Sequence, residues 1–482
     1  MASYDPTKVY VGPATWRNGS PEMLALWSDG ENRREWRQTW YGLAEAQYEQ
    51  SKGQLITKGQ LDVIAQHVDH VDIEAAHAIE AKGGHDLMAE LEVYRQQCGE
   101  AGGRLHLGAT TMDIEDNAIM RQMLQATRIV KGRAGRALRH ARKHILDYRL
   151  QASQAWTHIQ PATITTWGYR LATHAQDLMV GLSELEAAET MMKGKGFKGA
   201  VGTQDSYTSL LGPTGALEME NLAMKKLGLE AWPVSTQIYP RVVDHAVLSA
   251  LGTITSASHK FGQDMRIMQS PAFGEVSEPR KEGQVGSSAM PWKINPAKCE
   301  RMCGLSRLIP GYATVAWINS AVNILERTID DSASRRVIIP EGFIYTDAVL
   351  VLYGDMTQGM QLHKEIISRN LRTYNRFAGT ERVLMAAAKA GGNRQDLHAR
   401  IKGHAMAAWD DVRKGEPPSL LERMQNDAEL TRWVPAEQMT ELVDTVGYGR
   451  AAEMAESFVM GHLDPLLARY EEFKLPETAA KF

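Results

Sequence analysis

Cysteine is scarce: three residues in 482, at positions Cys98, Cys299 and Cys303. An odd, sparse set does not make a disulfide framework and points to a reducing compartment, the cytoplasm. Cys299 and Cys303 stand one helical turn apart. No further cysteine or histidine lies close enough in sequence to complete a metal set, so both read as packing residues. An excess of one charge is also missing. The chain has 54 Lys and Arg against 58 Asp and Glu, a net −4. That gives no electrostatic reason to expect a nucleic acid or an anionic membrane as partner, and any anion site must be local. The N-terminus lacks the basic-then-apolar pattern of a signal peptide. Long hydrophobic runs are few. One uncharged stretch, 308–325, has the length of a membrane span, but Pro310, Gly311, Thr314, Asn319, Ser320 and Asn323 interrupt it. It reads as a helix buried in a bundle. Strand signals are weak, and there is no internal repeat or low-complexity tract.

What is present is helical periodicity. Apolar residues recur in three- and four-residue steps from Met120 through Met123, Val130, Ala134, Ala137, Leu138 and Ile145, the period of a buried stripe. Similar patterns cover 161–192, 244–270, 295–327 and 340–370. Five such helices in mid-chain predict a mainly α fold built on a bundle of long helices. Three regions follow: a glycine-interrupted helical N-terminal domain, 1–116; the central bundle, 117–367; and a C-terminal domain of shorter helices, 368–482.

The stretch "GQVGSSAMPWKINPAKCE" stands out. Asn295 followed by Pro296 reads as a helix start, with Asn at the N-cap and Pro at the first helical position. Ser287, Ser288, Lys293 and Asn295 then gather hydroxyls, a cation and a positive helix end, which suits a carboxylate or phosphate; a solvated loop with a lysine is the plainer reading. Histidines recur beside small or hydroxyl residues ahead of helix-like runs: His85 with Asp86, His106 with Thr110 and Thr111, and His158 with Thr157. Each alone is as readily structural. His67, His70 and His77 fall on a polar helical face with no further ligand in register for a metal. In "ERTIDDSASRR", Arg327, Ser332, Arg335 and Arg336 suit a phosphate dianion, or form an ion-pair lattice on a solvated helix.

The order of these motifs carries a resemblance. "GSSAMPWKINPAKCE" is similar to the GSS-x-MP-x-K-x-NP loop of the fumarase/aspartase superfamily, and "THIQPA" and "HLGATT" resemble the two other segments that build those active sites. Within it, "ERTIDDSASRR", "KAGGNRQDLH", "KGAVGTQDS" and "GHDLMA" resemble the adenylosuccinate lyase family, from Ser20-Pro21-Glu22-Met23 to the "KAGG" segment and more weakly beyond. The resemblance implies a three-domain helical subunit in a homotetramer, with each active site combining segments of three subunits. It implies β-elimination of fumarate from an N-succinyl purine nucleotide, without metal or organic cofactor. Ser287 matches the base, with Lys293 and Asn295 holding the succinyl carboxylate. His158 matches the acid, Glu300 the residue that orients it, and His85 a group supporting the acid or the carboxylate. Arg17, Asp86, His106, Thr110, Thr111, Thr157, Gln237, Ser288, Met290, Arg301, Arg327, Ser332 and Arg336 match substrate-binding positions. The loop would close over substrate, with Gly283 and Gly286 as hinges. The family pattern usually has Arg at position 294, His or Tyr at 292, Ser at 111, Arg at 84 and Tyr at 18. Here those positions hold Ile294, Trp292, Thr111, Gly84 and Asn18, which touch the anion-binding periphery and leave the catalytic groups in place. The competing expectations are another lyase or cycloisomerase of the superfamily, or a non-catalytic structural relative.

Overall fold

The computed structural model describes residues 10–280, 283, 287–475 and 478. Its centre is a set of long helices, Thr111–Asp147, Trp167–Glu189, Val242–Gln269, Leu308–Ala321 and Asp330–Gly359, packed side by side. The fold is mainly α, as the periodicity predicts. Met120, Met123, Val130, Ala134, Ala137, Leu138 and Ile145 are all fully buried along the first of these helices, so its stripe faces its neighbours. Close approach needs glycine at one crossing: a Cβ on Gly181 would lie 2.8 Å from the Ile254 backbone nitrogen.

Several boundaries differ from the sequence reading. The 295–327 pattern is two helices, Ala297–Ser306 and Leu308–Ala321. The last mid-chain helix does not start at Pro340. It starts at Asp330, where two aspartates in the first turn complement the helix dipole, and keeps Pro340 in its interior. The 161–192 pattern begins as a strand, because the β-branched run Thr163-Ile164-Thr165-Thr166 favours extended backbone. The helix follows once the Thr166 hydroxyl accepts the Tyr169 N–H at 3.1 Å. The 197–209 loop ends at Gln204, where the Asp205–Leu227 helix takes over. His67 and His70 lie in the turn after the Lys58–Gln66 helix, and His77 lies on the next helix beside Asp29 at 2.9 Å, so the three do not share one helical face.

The Asp330–Gly359 helix is long and apolar enough to cross a membrane, but 83% of its most apolar window is buried inside the protein. It is a core helix. Two short antiparallel sheets accompany the bundle: the hairpin Ala152–Thr157 with Gln160–Thr166, and Val276–Ser277 with Gln361–Leu362. A second apolar core, including Val383, Leu397, Leu420, Met439 and Val443, lies in the C-terminal region. Beyond it Ala455, Val459, Leu463 and Tyr470 rejoin the main core. At the other end, Asp116 falls inside the helix that begins at Thr111.

Candidate active site

The serine loop has a defined local geometry. Ser287 Oγ accepts the backbone N–H of Met290 at 3.1 Å and of Ala289 at 3.4 Å. The Lys293 N–H donates to the Met290 carbonyl at 3.0 Å. Ser288, Met290 and Lys293 are exposed. Gly283 has φ +76°, a conformation that suits glycine; Gly286 lies outside the described residues. Lys293, Asn295 and Glu300 line an open cleft of 860 Å³ with Gln263, Arg266, Ser270 and Trp292.

The helix after the loop begins one residue later than expected, at Ala297, with Pro296 rather than Asn295 at the cap. Its end is also filled. The buried Glu278 carboxylate accepts the Lys298 N–H at 3.0 Å and the Cys299 N–H at 2.7 Å. The Ala297 and Glu300 N–H groups donate to the Asn295 and Pro296 carbonyls at 2.9 Å each. A carboxylate of the chain therefore neutralises the helix end on which the anion-site reading relied. The donors that Ser287 does have come from its own turn.

His158 occupies the tip of the hairpin, not the lead-in to a helix. His158 and Ile159 form its two-residue turn with φ of +55° and +59°, the type I′ arrangement normally reserved for Asn and Gly. Both are exposed. The hairpin is firmly seated beneath them. Gln154 Nε2 donates to the Ala155 carbonyl at 2.9 Å and the Ala162 carbonyl at 2.8 Å, clasping both strands. Trp156 packs edge-on against Phe273 and Tyr374 at 4.8 and 5.4 Å between ring centres.

A third cluster joins residues far apart in sequence. His85 caps the Asp86–Cys98 helix, and its Nε2 lies 3.3 Å from Thr111 Oγ1. Asp86 Oδ2 accepts from Arg336 at 2.6 Å. Burial pushes the Asp86 carboxyl up, but the Arg336 charge and the Leu87 N–H outweigh it and leave it below the usual value. Thr110 caps the Thr111–Asp147 helix, its N–H donating to Asp113 at 3.1 Å. His106 Nδ1 accepts the Trp40 indole N–H at 2.9 Å, which puts its own proton on Nε2. Burial holds that ring below the ordinary histidine value, hence neutral. Arg327, Ser332 and Arg336 line a cavity of 270 Å³ with Trp27, Trp36 and Glu115.

The "ERTIDDSASRR" segment thus divides. Arg335 and Asp331 are structural: Arg335 binds Asp244 at 2.7 Å and the Tyr239 hydroxyl at 2.6 Å, while Asp331 binds Arg241 at 2.7 Å, which also holds Asp116 at 2.9 Å. This buried network ties three long helices to the segment bearing Gln237, whose N–H donates to the Glu326 carbonyl at 3.3 Å. Arg17 and Arg301 meet elsewhere: Arg301 Nη2 donates to the Arg17 carbonyl and to Asn18 Oδ1, each at 2.6 Å. Burial, and then the charge of Arg17, lower the Arg301 pKa.

Within one chain these pieces stand apart. Among the described residues no hydrogen bond or ion pair joins His158 to Glu300, to the serine loop or to the His85 cluster. Glu300 instead faces Arg266 at 3.9 Å. Two residues at the candidate site escaped the sequence reading. Glu278 carries no motif. Glu115 sits one helical turn after Thr111, a spacing that does put it on the same face.

Comparison with known proteins follows the same lines. The family described as "Lyase" matches residues 39–311, and that described as "Adenylosuccinate lyase C-terminus" matches 377–458. Adenylosuccinate lyase of Schistosoma mansoni is 34% identical, covering 97% of this chain and 98% of its own. The Saccharomyces cerevisiae enzyme of that name is 32% identical over 98% of each chain, and the Pyrococcus horikoshii one 31% over 93% and 97%. A fumarate lyase from Mesorhizobium superposes with a TM-score of 0.81 at 22% identity, covering 92% of this chain and 98% of its own. The 3-carboxy-cis,cis-muconate lactonizing enzyme of Pseudomonas putida gives 0.78 at 19%, over 94% and 98%. At those identities the two structures speak for the fold, while the near-full-length relatives above 30% speak for descent: this chain belongs to the adenylosuccinate lyase family of enzymes.

Proposed function

We propose that the enzyme eliminates fumarate from N-succinyl purine nucleotides, converting adenylosuccinate to AMP and SAICAR to AICAR, in cytoplasmic purine nucleotide synthesis. The observation that carries the mechanism is the pair of backbone N–H groups on Ser287 Oγ. A serine is a poor base as a hydroxyl. Two donors already aimed at its oxygen favour the alkoxide. The alkoxide removes the proton from the succinyl carbon next to a carboxylate, and the charge that builds on that carboxylate is met by the Lys293 ammonium and Asn295. His158, protonated, delivers its proton to the departing nitrogen. The C–N bond breaks, and fumarate and the amino form of the nucleotide leave.

His158 on its hairpin and Ser287 on its loop belong, in this reading, to different subunits of a homotetramer. Glu300 orients His158 across that boundary. Arg327, Ser332 and Arg336 receive the nucleotide phosphate; Arg17, Arg301, Thr110, Thr111, His85 and Gln237 complete the substrate contacts. Arg327 Nη1, buried without a hydrogen-bond partner among the described residues, supports an anion at that cluster.

The test is fumarate release from adenylosuccinate, followed by the loss of purine absorbance. Ser287→Ala should lower turnover by about 10²–10⁴-fold while AMP still binds, His158→Ala similarly, and Glu300→Gln less. Turnover in Ser287→Ala equal to wild type would remove that serine from the chemistry.

A further inference from the structure

We propose that Glu115 is a specificity-determining residue: from the wall of the cavity it shares with Arg327 and Arg336, its carboxylic acid donates a hydrogen bond to an oxygen of the phosphate those arginines receive. The inference rests on the reading above that the ligand is phosphorylated.

The geometry comes first. Glu115 lines the same cavity as Arg327, Ser332 and Arg336. It lies on the Thr111–Asp147 helix one turn beyond Thr111, which contacts His85. The cavity wants an acceptor, because Arg327 Nη1 and the Trp27 indole N–H are buried in its wall without hydrogen-bond partners among the described residues. The groups around Glu115 are Asp86 at the start of the Asp86–Cys98 helix, with His85 3.6 Å from it, Asp29 at the start of the Asp29–Gln50 helix, and Asp116 on its own helix. Facing them are Arg327, before the Asp330–Gly359 helix, and Arg335 and Arg336 on it. Arg336 is held by Asp86 at 2.6 Å, and Arg335 by Asp244 at 2.7 Å. Asp116 is bound to Arg241 at 2.9 Å.

Arg327 has only a long contact of 3.9 Å with Asp331, which makes it the least committed cation for an incoming dianion. An ionised Glu115 would confront that dianion with like charge; a protonated one offers it a donor. The proton is held easily: burial, with the negative charge of Asp86 adding to it, raises the Glu115 carboxyl to about 7. Ligand capture then takes up or retains one proton at Glu115. Affinity is full below that value and falls as the pH rises through it.

The experiment measures AMP binding by calorimetry from about pH 6 to about pH 8 for the wild-type enzyme, Glu115→Gln and Glu115→Ala, with fumarate release from adenylosuccinate recorded alongside. Wild-type affinity should weaken by about tenfold across that range relative to Glu115→Gln, the fold-change expected of one proton lost above a value near 7. The phosphate's own ionisation is common to all three proteins and cancels in the comparison. Glu115→Gln, a permanent neutral donor, should stay tight, and Glu115→Ala should be equally flat but weaker. Identical pH dependence in wild type and both variants overturns the proposal, as does a wild-type enzyme that does not bind AMP. If AMP binds with the expected pH dependence but no fumarate is released, the reaction assigned above falls and this inference stands.

Discussion

At the scale of single residues, the tip of the hairpin is the most informative place. His158 and Ile159 both hold φ above +50°. A left-handed backbone costs a residue with a side chain roughly 1–2 kcal/mol, and a β-branched one is the worst placed to adopt it. Nothing in the fold needs isoleucine there for burial, since it is 61% exposed. In the proposed mechanism the strain is the means of holding His158, the proposed acid, in one orientation. Ile159→Gly should therefore stabilise the fold by about 1 kcal/mol, the left-handed penalty less the entropy of the added glycine. It should also lower kcat, as the His158 ring gains freedom. Urea unfolding and steady-state turnover on the same preparation check both. A variant less stable than wild type would mean the turn is not strained.

This turn also marks the limit of what a sequence conveys about single residues. Ser287, Lys293 and His158 stand out as candidates because their neighbours form short recognisable strings. The hairpin was not, because "THIQPAT" has no Asn-Gly at the turn and carries Pro161 in the second strand. Glu115 was invisible for a different reason. A glutamate on a helix ordinarily faces water, and only the packing of three other elements makes this one a cavity wall.

Among the elements, helices with a sustained apolar stripe were legible to within a few residues, as for Val242–Gln269. Ends were lost wherever a tertiary partner sets them. The Ala297–Ser306 helix starts where Glu278, twenty residues earlier, accepts its first amides, and no local signal announces that. A second long-range effect appears in the Trp167–Glu189 helix, which continues from the hairpin. His174 on it is 2% exposed, packs edge-on against Phe261 at 5.4 Å, and lies 3.5 Å from Asp264. Burial, with the charges of Lys260 and Arg170 adding to it and Asp264 opposing, lowers its pKa from 6.5 to about 4. The unfolded chain then binds a proton at this residue that the folded one does not. Stability should fall as the pH drops from about 6.5 to about 4. His174→Gln, which cannot take up that proton, should show a shallower loss over the same window in urea unfolding. Equal slopes in the two proteins would mean that His174 is protonated alike in the folded and unfolded states.

For the whole molecule, the question is why the candidate catalytic groups lie so far apart. The serine loop, the His158 hairpin and the His85–Arg336 cluster are each well built, yet one chain does not assemble them. The same chain exposes apolar surface that a lone subunit has no reason to keep. Ile309, Ala313 and Ala316 are buried, as a bundle helix requires, but Trp317 is 56% exposed, Ile318 44%, Ile324 65% and Leu325 83%. The uncharged run at 308–325 was legible as a buried helix, but Trp317, Ile318, Ile324 and Leu325 are left uncovered by the described residues. Exposed apolar side chains concentrated in one segment suit an association surface. The proposed homotetramer accounts for both observations: in it, identical chains would pack along these helices, and their loops and hairpins would meet at shared sites. Trp317→Asp should then shift the enzyme to smaller species in sedimentation or light scattering and abolish turnover, although it touches no catalytic group. The stronger test mixes two inactive proteins. If base and acid in one site come from different subunits, co-expressing the Ser287→Ala and His158→Ala chains creates some sites with both groups intact, and fumarate release reappears. Co-expressed chains as inactive as each alone, in assemblies shown to contain both, would mean that each subunit must supply its own base and acid.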